Sequence, residues 1–157
     1  MRILDTTLRD GSYAINFGFT SEDTSNIVFE LAMSGVKLIE VGHGIGLGAT
    51  RKKISPAIQS DEQYMLATLN AIKKCKQHID VKWGMFCIPG IADLEDIDLA
   101  HQHNMNFIRI GVNVNEFEKA RIFIEKAKEK SMYVAVNLMK SYVASPIEFA
   151  KIVKKVS

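Results

Sequence analysis

The stretch Ile3-Leu4-Asp5-Thr6-Thr7-Leu8-Arg9-Asp10-Gly11 starts as a strand-like run and ends on a guanidinium, a carboxylate and a glycine. Residues 3–8 predict a buried strand, so Arg9-Asp10-Gly11 fall where strand passes into loop. In parallel α/β folds, functional residues gather at the carboxyl ends of strands. Arg9 and Asp10 are adjacent, so fully extended backbone would send them to opposite faces. Twist into the loop turns both toward one end of the sheet. A carboxylate there suits a hard divalent cation, and arginine offers a planar fork to a carboxylate or enolate. On these residues alone, a structural ion pair or a cap for the next helix accounts for the pair equally well.

Working outward, the same kind of apolar run recurs at Leu38–Val41, Val81–Ile88, Phe107–Val112 and Tyr133–Met139. Segments of helical spacing separate them. The first spans about Ser21 to Ser34, with Ile27, Val28, Leu31 and Ala32 on one face, Thr20 and Asp23 as a capping box and Gly35 as its stop. Ser60 precedes a second, with Leu66, Ala67, Leu69 and Ile72. The third covers about Leu94–His103. Asn115 with Glu118 opens a fourth, and Ser145-Pro146 with Glu148 a fifth. Strand–helix alternation implies right-handed crossovers and a parallel sheet. Length alone favours a doubly wound open sheet, because a complete (β/α)₈ barrel takes about 250 residues. The motifs below favour the barrel instead: α/β, an incomplete (β/α)₈ barrel of about five βα units over residues 1–157.

The chain of 157 residues is 47% hydrophobic and 24% charged, an ordinary balance for one soluble domain. A net charge of +2 argues against nucleic acid or a membrane surface as partner. Arg51-Lys52-Lys53 and Lys73-Lys74 read as a solvated loop and helix face. Cys75 and Cys87 lack metal-type spacing and read as free thiols. The sequence shows no leader-type start and no apolar stretch of about 18 residues, so a reducing cytoplasm is the expected setting.

The loop Gly42-His43-Gly44-Ile45-Gly46-Leu47-Gly48 permits positive φ and close approach of backbone to a ligand. Its spacing is not that of a dinucleotide site. His43 reads either as a substrate-orienting donor or as a structural histidine. His101 and His103 lie about 200° apart on a helix and read as solvated rather than as a metal pair. Tyr13, Asn16, Trp83 and Tyr142 carry no signal of their own.

The opening string resembles the first-strand signature of the metal-dependent barrel lyases related to hydroxymethylglutaryl-CoA lyase. Ile39-Glu40-Val41-Gly42-His43-Gly44-Ile45-Gly46-Leu47-Gly48, followed by Ser60-Asp61-Glu62-Gln63-Tyr64, resembles the 4-hydroxy-2-oxovalerate aldolase branch. Pro89-Gly90-Ile91 and Asn137-Leu138-Met139 are similar to further segments of it. The resemblance implies a (β/α)₈ barrel that holds a divalent cation, Mn²⁺ foremost with Mg²⁺ or Co²⁺ as alternatives. It implies retro-aldol cleavage of a 4-hydroxy-2-oxoacid to pyruvate and an aldehyde. Asp10 is then a metal ligand, and Arg9 stabilises the pyruvate enolate. Gly11 lets the backbone turn tightly beside the ion, and His43 contacts substrate. A small 2-oxoacid substrate, a homo-oligomer and an acylating aldehyde dehydrogenase partner follow from the same resemblance.

Two departures stand out. Where the aldolases place a histidine base, this chain has Tyr13, a phenol that keeps its proton at neutral pH unless strongly tuned. The resembling enzymes also take two metal ligands from a His-x-His pair on a late strand, and no such pair occurs here on a strand. The chain therefore reads as the N-terminal portion of a longer barrel, inactive or nearly so by itself, with open sheet edges that associate with a copy or a partner. Two alternatives belong beside the aldolase reading: a non-catalytic barrel-derived binding module and a related acyl-CoA condensing enzyme or lyase. A nucleotide-binding open sheet rests only on the alternation and the glycine loop.

Overall fold

A computed structural model describes residues 3–75 and 80–156. Its elements run β1 (Leu4–Asp5), α1 (Ser21–Met33), β2 (Leu38–Val41), α2 (Asp61–Lys74), β3 (Lys82–Cys87), α3 (Leu94–Gln102), β4 (Phe107–Asn113), α4 (Arg121–Glu129), β5 (Tyr133–Met139) and α5 (Pro146–Val156). All five strands are parallel, and their spatial order is their chain order, β1-β2-β3-β4-β5. A doubly wound sheet reverses direction at a switch point. This one never does. Right-handed crossovers in unbroken order put every helix on the same face, and the helices meet as a row, α1 on α2, α2 on α3 and α3 on α4. The fold is five units of a (β/α)₈ barrel.

The helix-facing layer is the main core. Ile39 and Val41, Trp83, Met85 and Cys87, and Ile108, Ile110 and Val112 point to that side and are almost fully buried. Val28, Met65, Ile97 and Phe123 meet them from the helices. Each such side chain contributes roughly 1.5–3 kcal/mol of burial. The alternate residues form the barrel's inner face: Leu38 and Glu40, Gly84 and Phe86, Phe107, Arg109 and Gly111, and Ala135 and Asn137. Gly84 and Gly111 matter there, because a Cβ at either would run into the ring of Phe107 or Phe86.

Helix starts follow the expected capping. Thr20 Oγ1 accepts from Asp23 N at 3.0 Å while Asp23 Oδ2 accepts from Thr20 N at 2.9 Å. Ser60 with Gln63 and Ser145 with Glu148 close the same reciprocal pair. Such a cap is worth about 1 kcal/mol. At the end of α1, Gly35 takes φ +86° and Val36 N donates to Leu31 O, a Schellman stop.

Two expectations need correction. The first strand does not reach Leu8: it ends at Asp5, whose carboxylate accepts from Thr7 N (3.0 Å) and Thr7 Oγ1 (3.1 Å) and so turns the chain. The fourth helix does not start at Asn115. A 3₁₀ segment, Val114–Ala120, kinks at Glu116, which accepts from the Asn113 amide, and regular helix begins only at Arg121. At the far edge β5 is only partly covered, α5 buries no residue fully, and Tyr133 is 71% exposed. Among the described residues no strand pairs the outer edge of β1 or β5, and no helix is long and apolar enough to cross a membrane.

Candidate active site at the carboxyl ends of the strands

The turn after β1 is built by backbone geometry. Arg9 N and Asp10 N both donate to Thr6 O, at 3.1 and 2.7 Å, and the chain continues as a 3₁₀ helix over Asp10–Ile15. Ser12, buried beneath it, donates through Oγ to Arg9 O at 2.7 Å. Asn16 and Phe17 end the turn in the left-handed region, at φ 51° and 57°. Arg9, Asp10, Gly11 and Tyr13 are thereby brought together on one turn at the barrel mouth. Glycine's conformational freedom is not drawn on at Gly11, whose φ lies outside the left-handed region. Its position leaves the approach to the turn clear of a side chain.

Arg9 is 9% exposed and is held from inside the barrel. Its Nε donates to Glu40 Oε1 at 2.5 Å and its Nη1 to Asp10 Oδ1 at 2.7 Å. Glu40 is wholly buried, and Arg109 grips it from β4 through Nε (2.7 Å) and Nη2 (3.0 Å). The Phe86 ring from β3 lies against both guanidiniums, 4.9 Å from Arg9 Cζ and 5.1 Å from Arg109 Cζ. One buried carboxylate thus serves two arginines, which leaves the inner face locally cationic beneath the mouth. Among the described residues Arg9 Nη2 makes no hydrogen bond, so it is free for an anion. Glu40 and Arg109 were not singled out from the sequence. The available signal was a lone charge in the middle of each apolar strand, since buried charges are rare unless paired.

Asp10 has a side chain 63% exposed, with one oxygen on Arg9. Its second oxygen fits a divalent cation as a single ligand. Among the described residues no three His, Cys, Asp or Glu side chains cluster to hold a metal ion by themselves. This turn therefore carries one candidate donor for such a site, not a complete set.

Among the described residues, His43 reaches that turn only through Phe17. It is fully buried; its Nδ1 accepts from Ile45 N at 3.0 Å, which leaves Nε2 to donate to Ser55 O at 2.5 Å. Burial pushes its imidazole below the ordinary value of 6.5, against the opposite pull of the Ser55 carbonyl. Both ring nitrogens are committed within the chain. The ring stacks on Phe17 at 4.1 Å, and Phe17 meets Tyr13 edge-on at 5.1 Å. Gly44 completes the contact: a Cβ there would sit 2.8 Å from the Tyr13 and Phe17 rings. The expected need for glycine holds in this loop at Gly46, with φ +112° and the Phe86 carbonyl 2.6 Å from where a Cβ would stand. His103 reaches Glu62 at 3.1 Å, helix to helix, away from the mouth.

A second cluster pins the loop from behind. Gly48 N donates to Asp61 Oδ2 at 2.7 Å, and Arg51 bridges Asp93 (2.9 Å) and Asp96 (2.8 Å) at the start of α3. Burial raises the Asp61 carboxyl to about 6, with the Gly48 N–H opposing the rise.

Known proteins resemble this chain over nearly all of its length. Oxaloacetate decarboxylase of Mycobacterium tuberculosis is 38% identical over 144 residues, covering 92% of this chain and 40% of that one. The 4-hydroxy-2-oxovalerate aldolase of Carboxydothermus hydrogenoformans is 32% identical over 155 residues, covering 97% and 44%. This chain thus spans less than half the length of these relatives. Among solved structures, the N-terminal domain of a candidate aldolase from Bacteroides vulgatus superposes with a TM-score of 0.64 at 20% identity, over all of this chain and 52% of that one. A Rubisco from Hyperthermus butylicus gives 0.63 at 14% identity, over 92% and 32%; at such identity both show the fold alone. The HMGL-like family model matches residues 1–157, and the chain belongs to the HMGL-like family.

Proposed function

We propose that residues 1–157 form the N-terminal part of the catalytic barrel of a divalent-metal-dependent carbon–carbon lyase. Its reaction is retro-aldol cleavage of a 4-hydroxy-2-oxoacid, such as 4-hydroxy-2-oxovalerate, to pyruvate and an aldehyde. The supporting observation is Arg9, whose guanidinium is fixed by buried Glu40 and aimed beside Asp10 at the mouth. Breaking the C3–C4 bond leaves its electron pair as a pyruvate enolate. A guanidinium held in place beforehand meets that charge without reorganising. Asp10 is the metal ligand of this turn, and the cation, Mn²⁺ or alternatively Mg²⁺ or Co²⁺, supplies Lewis acidity when bound. Gly11 keeps the substrate's approach open, and His43 acts from below by fixing the loop against which Tyr13 rests.

The relatives' names support this reading in a shared way. Aldol cleavage and oxaloacetate decarboxylation both leave pyruvate enolate, so a common first-strand site serves either. A small 2-oxoacid substrate, a homo-oligomer, an acylating aldehyde dehydrogenase partner and a cytoplasmic setting belong to the same proposal. Residues 1–157 alone contribute one metal ligand and are expected to be inactive. The test is Mn²⁺ and oxalate titration of the full-length polypeptide bearing this sequence. Asp10→Asn should weaken Mn²⁺ binding, and Arg9→Gln should weaken oxalate, an enolate mimic, by about 2 kcal/mol. Binding indifferent to both changes would sink the reading.

A further inference from the structure

Resting on that reading of Arg9, we propose that Arg109, on β4, is a positioning residue for the same site. By engaging Glu40 with its two-pronged edge, it keeps a terminal nitrogen of Arg9 available to an anionic substrate. The two arginines hold the one carboxylate in different ways. Arg109 donates through Nε to Oε2 at 2.7 Å and through Nη2 to Oε1 at 3.0 Å. That is the planar, paired geometry in which a guanidinium and a carboxylate match best. Arg9 reaches the same Oε1 through Nε alone, at 2.5 Å. Its Nη1 donates to Asp10 Oδ1, and its Nη2 makes no hydrogen bond among the described residues.

Burial explains why the asymmetry matters. Glu40 has no exposed surface, so both of its oxygens need donors from the protein. Oε2 has its donor in Arg109. Were that donor lost, the guanidinium still touching the carboxylate would be that of Arg9. A turn of the carboxylate plane would then pair both oxygens with Arg9 Nε and Nη2, the same edge that Arg109 uses. Arg9 would be neutralised by a partner that never leaves, and its free nitrogen would be gone. Arg109 prevents this, and its own place is fixed. Both guanidiniums lie against the Phe86 ring, and that ring sits over Gly111, where there is no room for a Cβ. Phe86 is the register partner of Arg109, so the strand pairing itself sets the clamp.

The experiment uses the full-length polypeptide bearing this sequence, with Mn²⁺. Oxalate binding is followed by calorimetry, and exchange of pyruvate methyl protons in D₂O by NMR. Arg109→Lys keeps the positive charge but lacks the two-pronged edge. It should bind oxalate about tenfold more weakly. Its exchange rate at saturating pyruvate should fall by a like factor, with KM for pyruvate and Mn²⁺ affinity as in the wild type. Arg109→Gln, uncharged and equally unable to pair with both oxygens, should fall at least as far, and it carries the test if the lysine variant does not fold. In an Arg9→Gln background neither change should weaken oxalate further, because both act through Arg9. Wild-type oxalate affinity in the Arg109 variants overturns the proposal. So does an undiminished loss in the Arg9→Gln background, or a parallel fall in Mn²⁺ affinity. Full oxalate affinity in Arg9→Gln alone would instead overturn the reading of Arg9 beneath it.

Discussion

Two charge clusters flank the glycine loop, and they are built on opposite principles. Glu40 lies inside the barrel with no exposed surface, gripped by Arg9 and by two nitrogens of Arg109 over the Phe86 ring. Arg51 lies outside, about half exposed, and ties Asp93 and Asp96 to the loop, with Lys52 also on Asp93. The inner cluster has given up water, so each member depends on the others and geometry is rigid. The outer one keeps its water at Arg51 and Asp93, both exposed, while Asp96 beneath them is buried. Orientation of Arg9 therefore comes from the inner cluster, and retention of the loop from the outer.

The largest effect expected is from Glu40→Ala, which leaves Arg9 and Arg109 facing each other across a buried gap. Urea unfolding should show a loss of about 3–5 kcal/mol. A loss no greater than that of a surface pair would show that water reaches the inner cluster.

Asp61, at the back of the loop, sharpens the comparison through pH. Its carboxyl is raised to about 6 from 3.8, so the folded state binds the proton more tightly than the unfolded one. Its contribution is therefore fully present below about pH 4 and is lost as pH rises to about 6, by roughly 3 kcal/mol at most. Asp61→Asn retains an acceptor for Gly48 N–H and should be more stable than the wild type above that window. Equal stability of the two proteins at pH 7 would show that the carboxylate is solvated.

Smallest of all is Arg51→Ala, whose destabilisation should be a minor fraction of the Glu40 effect and fade in high salt. Salt-independent destabilisation would place the outer cluster in the same class as the inner.

The inner cluster also marks what sequence can carry. The strand–helix alternation, the capping boxes and the arrival of Arg9, Asp10 and Tyr13 at one strand end are local patterns, read within a few residues. Glu40 and Arg109 sit two strands apart with β3 between them. Their meeting depends on register, Glu40 beside Gly84 and Arg109 beside Phe86, and no local pattern encodes that. Even short-range reading failed where two local signals competed. At Asp5 an extended run met an aspartate able to bond Thr7 two residues on, and the side-chain bond won. His43 was ambiguous in sequence because its committed partners, Ile45 N and Ser55 O, are loop backbone.

The unbroken order of the strands bears on how the molecule comes into being. Each strand pairs with its immediate predecessor, so every newly made βα unit finds its template already in place. Assembly can follow synthesis, growing from β1 without waiting for a distant segment to close the sheet. The Arg9–Glu40 contact closes as soon as β2 is laid down, and Arg109 locks it two units later. The contacts that orient the candidate site all lie between strands made by the fourth unit, so nothing in that orientation has to await a fifth.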